Sequence, residues 1–141
     1  MRRRSIVCGV DFSSASAGAL RRAAALARRH GRSLIALFVE DPVLAAAGRA
    51  AGDRRASRRS TAAALERFVS RSLRHLRRPR MSSAVAVGVP ADEILKAARR
   101  HHADLVVVGT RGIGRAARLL LGSTADAVLR RTRVPVLAVP S

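Results

Sequence analysis

The sequence predicts an α/β fold, a parallel sheet covered by helices on both faces, and three observations carry that prediction. Four short apolar runs rich in β-branched residues, Ile6 to Val10, Leu34 to Val39, Ala84 to Val89 and Leu105 to Val108, are followed by a fifth, Val134 to Val139. Continuous runs of this kind read as strands buried on both faces. Each of the first four is followed by a helix-period or helix-start pattern, the sign of strand–helix–strand units. Finally, a chain of 141 residues can enclose one hydrophobic core but not two ordinary ones, so residues 1–141 are read as a single domain.

The elements follow in order. After the first strand, Ser13 and Ser14 are suited to cap a helix in which Leu20, Ala23, Ala24 and Ala27 recur at three- and four-residue spacing, with Gly31 as its stop. The connection between the second and third strands, from Glu40 to Ser83, is the longest. It opens with DPVLAAAGRAAGD, and residues 45–60 read as a mobile loop running into a helix that starts near Arg54 and reaches Leu76. Along that helix Leu65, Phe68, Val69, Leu73 and Leu76 form an apolar stripe, opposite Arg67, Arg71, Arg74 and Arg78. Gly88, Val89 and Pro90 then make a turn, and Asp92 and Glu93 place negative charge at the start of the next helix. Gly122, Ser123 and Thr124 open the last helix before the fifth strand.

Composition narrows the function classes. No apolar run approaches the ~20 residues of a membrane-spanning helix. The apolar stretch at the N-terminus stops at Asp11, short of the roughly 7 to 15 residues of a signal-peptide core, so the chain is expected in the cytoplasm. The single cysteine, Cys8, lies in an apolar run and reads as a buried thiol. Charge is the anomaly: 28 basic residues, all arginine but Lys96, oppose nine acidic ones for a formal +19, so anionic partners have to be considered.

The strongest chemical signal is GTRGIGRAARLLLGST, from Gly109 to Thr124, which begins where the fourth strand ends. Closely spaced glycines let backbone amides approach an anion, and the helix opening at Ser123 offers further amides and hydroxyls to phosphate. Spacing alone leaves tight turns as an equal alternative. Neither the lysine-bearing P-loop nor the dinucleotide fingerprint is present. No catalytic constellation emerges. Ser13, Ser14 and Ser16 lack a nucleophile elbow, and His30, His75, His101 and His102 lack metal-ligand spacing.

The segment resembles the nucleotide-binding signature of the universal stress protein family, Gly-x2-Gly-x9-Gly-Ser/Thr, matched by Gly109, Gly112, Gly122 and Ser123. The likeness extends through IVCGVDFSSAS, LIALFVEDP, GVPADEIL, ADLVVVGTRG and LRRTRVPVLAVP. It implies an open five-stranded parallel sheet of order 3-2-1-4-5, Rossmann-like and akin to the adenine nucleotide alpha hydrolases, with its ligand crevice where the first and fourth strands lie side by side. Carried over by residue, it assigns Asp11 to the ribose or a magnesium-bridged phosphate and the backbone of Val39 to the adenine edge. Gly109, Gly112, Gly122 and Ser123 would hold the phosphates of ATP, with Thr124 as a further hydroxyl and Arg111 as a charged contact. For Asp11 and Ser123 helix capping is the competing use, and for Arg111 a solvated loop position.

The resemblance also implies a cytoplasmic, ATP-binding regulator of the stress response that acts through a homodimer joined at Val134 to Val139 and through partner binding, with slow ATP hydrolysis at most. Two other readings stand beside it. One is an arginine-rich module for polyanions or nucleic acid, since residues 45–80 hold 11 arginines against Asp53 and Glu66; the absence of tyrosine and tryptophan argues against base-stacking recognition. The other is a dimer of the same fold that works without nucleotide.

Overall fold

The computed structural model of the protein describes residues 4–50, 54–111 and 121–140. Its strands are β1 (Ser5–Val10), β2 (Ser33–Glu40), β3 (Met81–Val87), β4 (Ala103–Gly109) and β5 (Val136–Val139). Between them lie α1 (Ser14–His30), α2 (Pro42–Ala50), α3 (Arg54–Ser72), α4 (Pro90–Arg100) and α5 (Ser123–Arg131). The five strands form one sheet in the order β3-β2-β1-β4-β5, and every neighbouring pair is parallel.

Strand alternation divides the core. In β1, Ile6, Cys8 and Val10 face the layer of α1 and α3, while Val7 faces the layer of α4 and α5, as the two-residue period of a strand requires. Leu20, Ala23, Ala24, Ala27, Leu65, Phe68, Val69 and Leu73 fill the first layer. Ala91, Ile94, Leu95, Ala98, Ala125 and Val128 fill the second. Small alanines on α1 bring that helix close to the sheet.

The caps of α1 agree with the sequence. The Ser13 side chain accepts the N–H of Ser16, and Gly31 ends the helix with a left-handed φ of 63°. The N–H of Arg32 then reaches back to the carbonyl of Ala27 at 2.8 Å, the long bond of a Schellman ending.

Four expectations need correction. Residues 42–50, which include the start of the segment read as a loop, are helical, whereas α3 starts at Arg54 as expected. Alanine is the best helix former, and Asp41 caps the start: its carboxylate accepts the N–H of Val43 at 2.7 Å and its carbonyl that of Ala45. Strand β3 begins at Met81 rather than Ala84 and ends before Val89. It is an edge strand with one half-open face, so Ser82 and Ser83 are tolerated there. Helix α3 ends at Ser72, which leaves Leu76 in the following turn with 41% of its surface exposed. Strand β5 begins at Val136, two residues after Val134.

The three phenylalanines of the chain meet in one cluster. Phe12 lies 4.6 Å from Phe38 and 5.4 Å from Phe68, ring centre to ring centre. Phe12 has a φ of 65°, a left-handed conformation that costs an ordinary residue roughly 1–2 kcal/mol. Aromatic packing offsets that strain, and the turn after β1 is fixed by contacts from β2 and α3.

Candidate functional site

Strands β1 and β4 lie side by side at the point where successive connections leave toward opposite faces, and the sheet opens there at its carboxyl end. A crevice of about 500 Å³ occupies this position. Asp11, Val39, Gly109, Arg111, Gly122, Ser123 and Thr124 all border it. Gly112 lies outside the described residues.

Hydrogen bonding explains why Val39 turns toward the crevice. The N–H of Leu34 donates to Arg80, and the carbonyl of Glu40 accepts from Gly88. Even-numbered residues of β2 therefore face the β3 side, and the intervening Val39 faces the β1 side. Pairing with β1 ends there, at Val10↔Phe38. The backbone of Val39 consequently meets the opening left where β1 turns away.

Asp11 is exposed at the crevice mouth. One of its carboxylate oxygens accepts both the N–H and the hydroxyl of Ser13, and its own N–H donates to the Ser16 hydroxyl at 3.3 Å. The carboxylate thus organises the turn into α1, and one oxygen is committed to that task. Ser16 is itself buried, and its hydroxyl donates a hydrogen bond to the carbonyl of Ser13.

The two described glycines of the signature are held by packing. A Cβ on Gly109 would stand 2.9 Å from the carbonyl carbon and from the Cβ of Ala15. Bareness at Gly109 is therefore demanded by the first turn of α1. At Gly122 a Cβ would stand 3.0 Å from the carbonyl oxygen of Thr110, which also accepts the Gly122 N–H. That amide is consequently spent within the protein. Among the described residues, the first turn of α5 offers donors to an anion, since the N–H groups of Thr124 and Ala125 have no acceptor within the helix, together with the positive end of the helix dipole.

Sequence reasoning missed Asp41, Ser16 and Ile94, which also border the crevice. Asp41 had a legible signal, a capping carboxylate directly before a proline suited to the first helical position. Leu37, Val10 and Ile94 give the crevice an apolar wall. Behind it, burial pushes the Cys8 thiol up from 9.0 to about 12, with the negative charge of Asp11 adding to the effect. Cys8 is an inert core residue at neutral pH. Among the described residues no cluster of three metal-ligating side chains occurs, and no helix is long and apolar enough to cross a membrane.

Comparison with known proteins bears on this site. The family model described as the universal stress protein family matches residues 2–140. A universal stress protein of Thermus aquaticus is 33% identical over 136 residues, spanning 96% of this chain and 98% of the relative. Among solved structures, universal stress protein UspA from Lactobacillus plantarum superposes with a TM-score of 0.75 at 27% identity, over 99% of both chains. A universal stress protein in complex with cAMP superposes with a TM-score of 0.69 at 26% identity, over 99% of this chain and 98% of that one.

Proposed function

The chain belongs to the universal stress protein family, and from that premise we propose that its crevice binds ATP with magnesium as a regulatory nucleotide. The reading is carried by the convergence of Asp11, Val39, Gly109, Arg111, Gly122, Ser123 and Thr124, drawn from separate chain segments, on one crevice at the β1/β4 switch point. Its volume, about 500 Å³, falls in the usual range for small-ligand pockets, roughly 300–1,000 Å³. The solved relative that holds cAMP supports an adenine base.

In this reading adenine lies against the apolar wall of Val10, Leu37 and Ile94, with its edge read by the Val39 backbone. Asp11 accepts from the ribose or meets magnesium carried by the phosphates. The phosphates lie at the start of α5, where amides, the Ser123 and Thr124 hydroxyls and Arg111 supply donors. Gly109 and Gly122 act by leaving room and by fixing the backbone. Gly112 belongs to the same set by its place in the signature. Asp11 and Asp41 both border the crevice, so magnesium would also relieve their repulsion of a triphosphate.

Binding rather than turnover is the output, with slow hydrolysis at most. Nucleotide occupancy changes what the protein offers to partners in the cytoplasm during stress. A homodimer forms along β5, the edge of the sheet. The decisive experiment is calorimetric titration with MgATP and MgGTP at ~0.15 M salt, where exposed charges are substantially screened. One site per chain that binds MgATP at least tenfold more tightly than MgGTP and is weakened by Gly122→Val is expected. Equal binding of both nucleotides would refute an adenine-reading crevice.

A further inference from the structure

At the opposite end of the sheet, four arginines from two chain segments border one pocket of about 340 Å³. Arg28 belongs to the last turn of α1, Arg32 precedes β2, and Arg77 and Arg80 precede β3. We propose that this pocket is a second anion site, one that takes a short chain of linked phosphoryl groups.

The backbone that presents these side chains is pinned. Arg32 is held by its N–H bond to Ala27, and Gly31 beside it takes the left-handed turn. The carbonyl of Arg80 accepts the N–H of Leu34 at 2.9 Å, which ties the approach to β3 onto the start of β2. Pro79, also on the pocket wall, restricts the chain just before Arg80. Arginines gathered around one pocket on a fixed frame are suited to phosphate oxygens, because each guanidinium offers a planar fork of donors.

Charge at the pocket is unbalanced. Asp104 pairs with Arg32 at 2.7 Å, while among the described residues no carboxylate lies within ion-pairing distance of Arg28, Arg77 or Arg80. An anion with several charges is therefore favoured over a single carboxylate. No aromatic side chain borders the pocket, so nothing there stacks on a base. Inorganic polyphosphate and the tail of a free nucleotide share the chemistry that it recognises. The site is separate from the crevice: six residue steps of β2, from Ser33 to Val39, measure about 20 Å at the ordinary strand rise, beyond the reach of one triphosphate.

The test is titration of the full chain with tripolyphosphate at ~0.15 M salt, in the parent and in Gly122→Val. Two double variants are compared: Arg77→Gln with Arg80→Gln at the pocket, and Arg67→Gln with Arg71→Gln on α3, which removes the same charge elsewhere. The pocket pair is expected to weaken one tripolyphosphate site at least tenfold, and the α3 pair less than threefold. ATP and tripolyphosphate should bind this site alike. In the parent the pocket pair lowers the number of tripolyphosphates bound per chain by one, whether or not Gly122→Val folds. If the crevice binds no phosphate, that number falls from one to zero, so failure of the nucleotide reading is distinguishable from failure of this one. Equal weakening by both pairs, or no saturable site, overturns the proposal. So does a duplex oligonucleotide that outcompetes tripolyphosphate through the same two arginines, which would make the surface one for nucleic acid.

Discussion

Replacing Gly109 by alanine tests whether the first glycine of the signature serves the fold directly. The new Cβ would approach the Ala15 carbonyl carbon and Cβ to 2.9 Å and the Ala15 oxygen to 3.1 Å, whereas carbon atoms at rest stand about 3.5–4.0 Å apart. The first turn of α1 would have to retreat by about 0.6–1.1 Å. It has little freedom to do so, because Ala15 and Ala19 are buried against the sheet and Ser13 and Ser16 tie the turn to Asp11. Overpacking of this kind costs about 1–3 kcal/mol, which corresponds to a fall in melting temperature of roughly 2–10 °C for a domain of this size. Urea denaturation at unchanged m-value measures it. Adding Ala15→Gly removes the Cβ contact but leaves the carbonyl contacts, so the double variant should recover part of the loss, a coupling of about 1 kcal/mol in a mutant cycle. If Gly109→Ala keeps its stability within about 0.5 kcal/mol yet loses MgATP binding, the glycine serves the ligand and the packing argument is refuted.

Two further outcomes follow from the same geometry. Cys8 holds its proton to about pH 12 when folded, against 9.0 for the ordinary thiol. The folded state thus retains a proton that the unfolded chain gives up, so stability is whole below pH 9 and falls as pH rises toward 12, by up to about 1.4 kcal/mol per pH unit. The chain has no tyrosine and a single lysine, so urea midpoints at pH 8 and 10 isolate this effect, and Cys8→Ala should flatten it; an unchanged alkaline slope in that variant would dismiss the thiol as its source. On β5, the bonds from Val106 N–H to Pro135 and from Thr110 N–H to Val139 direct odd residues toward β4 and leave the backbone of Val136 and Ala138 on the open side. Ala138→Pro removes one outward donor, and sedimentation should report monomers with the melting temperature lowered by only a few degrees; an unchanged dimer would move the interface elsewhere.

Much of this architecture is legible in local chemistry. Ser13 and Gly31 announce both ends of α1, and the β-branched runs announce the strands, because capping and two-sided burial are written in neighbouring residues. Helix α2 is hidden because its alanines are interrupted by Gly48 and followed by Gly52, which read as loop until Asp41 is recognised as the cap. The start of β3 is hidden because an edge strand tolerates serines that a central strand excludes. At the site, the signature glycines and Asp11 are visible as a pattern, but their physical work is tertiary. Nothing near Gly109 in sequence reveals that Ala15 lies against it, and nothing near Gly122 reveals that Thr110 takes its amide.

The position of β1 at the centre of the sheet has a kinetic consequence. Its first neighbour, β2, is nearby in sequence, but its second, β4, arrives much later: the Ser5 hydroxyl bonds to the carbonyl of His101, 96 positions further along. Folding must close that long loop before the central strand gains its second row of partners, which places this chain among the slower topologies. During synthesis, the first half of the protein emerges as a partial sheet whose β1 edge stays open to other chains until β4 has left the ribosome. The strand that is most protected in the finished molecule is then the one most exposed to mispairing while it is being made.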